Sequence, residues 1–466
     1  MTAPPRSSRT LRAAFATALA VILCVAAEAA FAGPKSASSR SRPGDAEAAR
    51  RKATTEPTLL AGAAWREITP AVGGDAAAVT LAGFGEGRLA AGVRDPIGAR
   101  ALVLESGGAA FGILVFDLFA VGREDAQRIR EGVRGHLQGT PLAGLLVVAT
   151  GTRFGPDLRG TFSGPGGAVD PAWRTRLAAD GAAAVDEAWR QRKPARLSFA
   201  TARLPRLLED GRRPLRLDDQ AWLLRVEDAA SRLGIAALAE FAALPETLPR
   251  SGREISADWP AGAVAALEAA FGGIGLVLPG AQGGRMLPAR EPAGPEEFGA
   301  AVARPLVVAW SGRHEGAAPM PQDVTRGAIS FRARTLTVPD AGRGERTTEI
   351  AFLRLASGGE PVLDLACVPG TPFPELVNGG IESPQDSGSD LQGAPTETAL
   401  RSLMPAPIKM VAGGCGDDLG EILPASEWDA RPPFAYGLES APPGEERSAG
   451  PQTAPLLWRA FAELMR

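Results

Sequence analysis

Histidine is nearly missing from this chain, with only His136 and His314 among 466 residues. His136 is placed at the edge of the apolar face of a predicted helix, as a rim or partly packed side chain would be, and His314 sits in the polar loop "SGRHEGAAP" with no second histidine nearby. A histidine-rich zinc centre therefore cannot be built from this chain, and any metal would have to be held mainly by carboxylates, thiolates or backbone oxygens. An excess of charge of one sign is also lacking. Lysine and arginine number 50 against 53 acidic residues, a formal net charge of -3 that gives no argument for nucleic acid as a partner. There is no G-x-S-x-G elbow and no P-loop, and "GFGEG" at Gly83 to Gly87 lacks the spacing of a dinucleotide fingerprint and reads as a turn.

What is present begins with an export signal. Arg6, Arg9 and Arg12 precede an apolar run, and Ala30-Phe31-Ala32 supplies the small-x-small pattern of a cleavage site, so residues 1–32 are expected to be a signal peptide cut after Ala32. Cys24 follows Leu23, where lipid attachment wants a small residue, and Glu28 inside the run argues against a retained anchor. The expected product is exported, periplasmic or secreted, with no membrane span after cleavage. Residues 33–58, rich in Ser, Ala, Arg and Pro without apolar period, read as a flexible linker before a folded part at 59–466.

In the folded part short apolar runs alternate with helical patterns. Ala101 to Leu104 and Phe111 to Phe116 flank "ESGGAA" as a predicted hairpin. A helix is predicted from Arg123 with Ala126, Ile129, Val133 and Leu137 on one face. A strand over Leu145 to Ala149, a helix over Ala172 to Trp189 and a strand pair at Trp222 to Val226 and Ile235 to Phe241 follow. Then come a helix from Gly262 to Ala270, strands at Val277 to Gly280, Ile350 to Leu353 and Val362 to Cys367, and a last helix at Pro455 to Leu464. This is an α/β pattern of mixed sheets flanked by helices. The Pro- and Gly-rich stretch from Glu291 to Ala301 is the best candidate for an internal boundary. Loops at the carboxyl ends of strands are the default place for function, and five stand out: Thr150 to Asp157, Phe241 to Leu248, Gly280 to Pro288, Val368 to Glu375, and Gly413 to Pro424 with its acidic Asp417, Asp418 and Glu421.

Taken in order, "REITP" (Arg66 to Pro70), "GVRDPIGARALVL" (Gly92 to Leu104), "VFDL" (Val115 to Leu118), "ATGTRFGPD" (Ala149 to Asp157), "EISADWPAG" (Glu254 to Gly262), "LPGAQGG" (Leu278 to Gly284), "VPGTPFPE" (Val368 to Glu375) and "GDDLGEILP" (Gly416 to Pro424) resemble the neutral/alkaline ceramidase family of zinc-dependent amidases. The resemblance implies that family's catalytic-domain fold and ends where that domain ends, without the immunoglobulin-like C-terminal domain. It also implies where the catalytic groups would be, and there they are absent. The family's A-T-H-T-H-S-G-P loop has Gly151 and Arg153 for its two histidines and Phe154 for its serine. Leu244 stands for a histidine, Thr371 for a glutamate, Glu421 for a tyrosine, and in the G-D-x-S-P loop Gly284 and Met286 stand for the aspartate and serine. Glycine and leucine cannot ligate zinc and arginine repels it, so no cofactor is expected. Asp95-Pro96, Arg100, Gly155-Pro156, Asp258, Gly280 and Pro369-Gly370 still match the family's scaffold.

Three expectations about the site follow from the resemblance. Arg153 pairs with Glu421 across the former metal position, in preference to a replacement cation site built from Asp417, Asp418 and Glu421. Cys367 and Cys415, each a few residues before positions that converge on one metal in the family, are close enough for a disulfide in an oxidising compartment, with two independent buried thiols as the alternative. The function is that of a non-catalytic binder of a lipid or acyl-amide ligand. The alternatives are an amide hydrolase with an altered or absent metal site, using Asp417, Glu421 or Glu246 as base, and a structural or interaction protein of the cell envelope.

Overall fold

The computed structural model describes residues 55–74, 77–136, 142–164, 170–312, 320–340 and 344–466. The expected signal peptide with Cys24, most of the expected linker, Leu137 and His314 lie outside them, as does the side chain of His136. The chain is engaged slightly before the expected linker end. The Glu56 carboxylate accepts the Gly358 and Gly359 amides at 2.9 and 3.0 Å, and Thr58 bridges to Arg326.

The main elements in chain order are β1 (Leu60–Glu67), β2 (Gly98–Ser106), β3 (Ala109–Phe116), α1 (Arg123–His136), β4 (Leu142–Ala149), α2 (Pro171–Arg190), β5 (Lys193–Arg203), β6 (Gln220–Asp228) and β7 (Gly234–Phe241). They continue with α3 (Trp259–Phe271), β8 (Ile274–Pro279), α4 (Pro295–Trp310), β9 (Ala328–Asp340), β10 (Gly344–Ser357), β11 (Glu360–Cys367), β12 (Ile408–Ala412) and α5 (Thr453–Leu464). An eight-stranded sheet has the order β8-β7-β6-β5-β1-β2-β3-β4, and a four-stranded sheet the order β9-β10-β11-β12. Both are mixed. β3 with β4, β7 with β8, and β11 with β12 run parallel, whereas the remaining neighbours are antiparallel.

The layers follow from side-chain alternation along the strands. Leu102 and Leu104 of β2 and Leu238 of β7 share one core with Leu353, Leu363, Leu365 and Met410, so the two sheets pack face to face. The intervening Ala101 and Val103 face the opposite way and pack with Ile129, Val133, Trp173 and Leu177 of α1 and α2. Ala237 and Phe241 likewise meet α3 and α4, while Ile350 and Phe352 meet α5 on the far side of the smaller sheet. The predicted hairpin forms with Gly107 and Gly108 at φ 60° and 83°, values that favour glycine.

The stretch at Glu291 to Ala301 is not a boundary. Most of it opens α4, whose Phe298, Val302 and Leu306 are buried against Trp259 and Leu267. Glycines there permit close helix contact: a Cβ on Gly299 would lie 2.2 Å from the Ala263 nitrogen, and one on Gly262 2.3 Å from the Pro295 oxygen. Composition that suggested a linker is close packing, and each fully buried side chain such as Phe298 contributes roughly 1.5–3 kcal/mol.

Candidate functional site

The three parallel strand pairs end at Phe116 and Ala149, at Phe241 and Pro279, and at Cys367 and Ala412, and their carboxyl-end loops meet. Backbone hydrogen bonds join them: Gly413 donates to the Pro279 carbonyl at 2.9 Å, Ala149 to Gly414 at 3.2 Å, Gly416 to Val147 at 2.7 Å, and Gly283 to Pro372 at 2.9 Å. A disulfide between Cys367 and Cys415, with Cα atoms 5.2 Å apart, links the end of β11 to the loop after β12 from within the inter-sheet core. Asp258 anchors a further wall. It sits at φ 61°, caps α3, and accepts from the Thr247 amide and hydroxyl and the Leu248 amide, so the loop carrying Leu244 and Glu246 is held to a helix end.

Where these loops meet there is a cavity of about 330 Å³. Five of the eight positions that stand for the family's catalytic groups line it, Gly151, Arg153, Leu244, Thr371 and Glu421, and so do Gly280 and Asp418. Phe154 lies behind the wall, edge-on to Phe84 at 5.7 Å. Gly284 donates its amide to Glu421 Oε2 at 3.4 Å, and Met286, fully buried among the helices, accepts the Leu244 amide through its carbonyl at 2.8 Å. These three support the site from outside the cavity.

The expected Arg153–Glu421 ion pair is replaced by two others. Arg153 pairs through Nε with Glu246, whose carboxylate also meets Arg250 at 3.3 Å, while Glu421 Oε1 accepts from Arg447 at 3.0 Å. Glu246 wins because the anchored loop places it against Arg153 on the side of Phe84, a ring that also carries Arg250. Burial pushes the Glu421 carboxyl up, opposed first by Arg447 and then by Arg153. Burial likewise lowers the Arg153 guanidinium, opposed by Glu246. The acidic cluster does not assemble a cation site either. Asp417 is fully buried and taken by Arg346 at 2.8 Å and the Arg123 amide at 3.1 Å, and Asp418 is paired with Arg159. The three candidate bases, Glu246, Asp417 and Glu421, are thus each neutralised by an arginine.

Several lining residues carried no signal in the sequence. Arg447 comes from the irregular "EERSAG" segment and Arg346 from β10 across the other sheet, so their convergence is tertiary. Gln282 lines the floor, donates Nε2 to the Ala243 carbonyl at 2.8 Å and turns its carbonyl oxygen toward Gly151. "GFGEG" is a turn, as its glycines suggest, and cushions the site: a Cβ on Gly83 would meet Arg153 Cβ at 2.9 Å.

The donor set does not fit a zinc ion. Gly151 and Leu244 offer no donor atom, Arg153 brings a fixed positive charge, and among the described residues no three His, Cys, Asp or Glu side chains are grouped to hold a metal. Among the described residues no helix is long and apolar enough to cross a membrane.

No family model matches the chain, and no curated protein matches its sequence. Its fold does have solved counterparts. One is a neutral ceramidase from Pseudomonas aeruginosa, with a TM-score of 0.63 and 12% identity over 88% of this chain and 74% of that one. Another is a ceramidase complexed with C2, with a TM-score of 0.62 and 12% identity over 88% of this chain and 75% of that one. At this identity the likeness establishes the architecture: a mixed α/β chain with the fold of ceramidases and, among its described residues, no metal-binding cluster.

Proposed function

We propose that this protein is an exported, non-catalytic member of the ceramidase fold that binds a lipid-like or acyl-amide ligand in the cavity at the loop ends. The observation that carries this reading is the cavity itself: it persists at about 330 Å³ while Gly151, Arg153, Leu244 and Thr371 give its walls nothing that generates a metal-bound nucleophile. The volume lies at the small end for ligand sites and suits a head group with the start of one chain. Phe119 and Phe162, edge to face at 5.2 Å, add apolar wall for such a chain. Calorimetric titration of the purified protein with a short-chain N-acylsphingosine and an N-acyl amino acid tests the proposal. Saturable 1:1 binding of either is expected, and absence of binding by both contradicts it. Export is tested by the mass of the mature protein, expected to begin at Gly33, with an intact Met1 as the contrary result.

A second reading is supported by Glu421. Its carboxyl, raised by burial at the cavity floor, is the group best suited to proton transfer in a metal-free hydrolysis of a bond more reactive than an ordinary amide. Release of alcohol from an activated ester, abolished in Glu421→Gln, would favour it.

A further inference from the structure

Arg153 is more than nine-tenths buried, yet among the described residues it donates no hydrogen bond. Its Nε meets Glu246 as an ion pair without hydrogen-bond geometry, and among the described residues neither terminal amino group has a hydrogen-bond acceptor. A guanidinium carries five donors, and one that is buried and unsatisfied is costly unless something else supplies the acceptors. The group lies on the wall of the cavity, so that space is where acceptors would come from.

Cations slightly outnumber anions around Arg153. The groups that act on Arg153 are Glu246, Arg447, Glu421 and Arg250, and Arg88 lies close enough to be perturbed by it in turn. Four guanidinium groups therefore face three carboxylates, Glu246, Glu421 and Glu446, the last 3.4 Å from Arg447. Burial pushes the Glu421 carboxyl up, opposed by the positive charges of Arg447 and Arg153. The rings of Phe84 and Phe119, 5.6 and 5.4 Å from the Arg153 guanidinium carbon, keep the local dielectric low and strengthen any charge interaction there.

We infer that the floor of the cavity is an oxyanion subsite in which Arg153, assisted by Arg447, receives the charged head group of a single-chain amphiphile. The planar fork of Arg153 suits two oxygens of one carboxylate or phosphate, and Arg447 supplies a second cation at the mouth. The apolar remainder of the ligand runs along Leu244, Phe119 and Phe162 toward solvent. This rests on the reading of the cavity as a ligand site and specifies the chemistry of what enters it.

The test is calorimetric titration of the intact protein with octanoate, octyl phosphate and octanamide, repeated in Arg153→Gln and Arg447→Gln. Octanoate and octanamide share a shape and differ in charge. We expect at least one of the two anions to bind about tenfold or more tightly than octanamide, as a charge-assisted contact implies, and the tighter anion identifies the head group. That preference should vanish in R153Q and fall severalfold in R447Q. Equal binding of octanamide and both anions overturns the subsite while leaving the ligand site standing; binding of none of the three overturns both. Should R153Q fail to fold, the half-exposed Arg447 carries the test, and unchanged selectivity in R447Q overturns the assignment.

Discussion

Two regions of this protein bury arginine, and they treat it differently. Behind the cavity, Arg401 is held on every side: by Asp218, by Asn378 Oδ1 at 2.8 Å, by Glu240 at 3.0 Å and by the Lys409 carbonyl at 3.0 Å. Arg212 is similar at its two amino groups, which meet both Glu445 oxygens at 2.5 and 2.8 Å and the Pro443 and Glu427 carbonyls at 2.8 and 2.9 Å, while its Nε has no acceptor among the described residues. At the cavity floor, Arg153 has one ion pair and donates no hydrogen bond to the described residues. A buried arginine held through both amino groups ties elements together: Arg401 joins β7, β12, Asp218 before β6 and Asn378 after β11, and Arg212 joins the loop after β5 to Glu445. An unsaturated one beside open space has its donors available for a ligand.

The comparison breaks first at Arg401. Replacing it with Met strands Asp218 and Glu240 as buried, unpaired carboxylates, and we expect a loss of about 3–5 kcal/mol in urea unfolding; a loss below about 1 kcal/mol would mean the network is not structural. The disulfide comes next. Its sequence separation of 48 predicts that the double replacement Cys367→Ala, Cys415→Ala costs about 2–4 kcal/mol by constraining the unfolded chain less. Reduced and oxidised protein of equal stability would contradict this.

The third prediction concerns pH. Burial pushes Glu240 up to about 8, against the opposing charge of Arg401. A carboxyl raised in the folded state binds its proton more tightly there than in the unfolded chain. Its contribution is therefore full below the ordinary carboxyl range and is lost as pH climbs toward 8. The unfolding free energy should fall between pH 5 and pH 8, by on the order of 1 kcal/mol per pH unit for this group, and the profile should flatten in Glu240→Gln; a wild-type profile that rises over that range would contradict it. The smallest effect sharpens the contrast. Arg153→Gln should change unfolding stability by only about 1 kcal/mol or less, because Glu246 keeps Arg250 and no hydrogen bond is broken. A loss as large as that of R401M would place Arg153 among the structural arginines.

Much of the frame was readable from apolar runs. The β2–β3 hairpin, the face of α1 built on Ala126, Ile129 and Val133, and the β6–β7 pair all lie where periodicity put them, because a buried strand or helix face must show its period. α4 was missed because Pro and Gly marked it as a break, whereas Pro295 is its first residue and Gly299 stands at a helix crossing. At the site, the sequence located Gly151, Arg153, Leu244, Thr371 and Glu421 on loops that do converge. It paired Arg153 with the wrong carboxylate. Glu246 and Glu421 are both close in charge terms, and the choice between them depends on Asp258 anchoring one loop and on Arg447 arriving from a segment with no recognisable pattern.

The most direct measurement is release of free fatty acid from a short-chain N-acylsphingosine, followed by mass spectrometry, with the mature protein and equimolar zinc present. We expect no release above the protein-free control. Release that scales with protein concentration and stops on addition of a chelator would show that the cavity still supports metal-dependent hydrolysis, and would contradict the reading of Arg153 as the occupant of a site given over to binding.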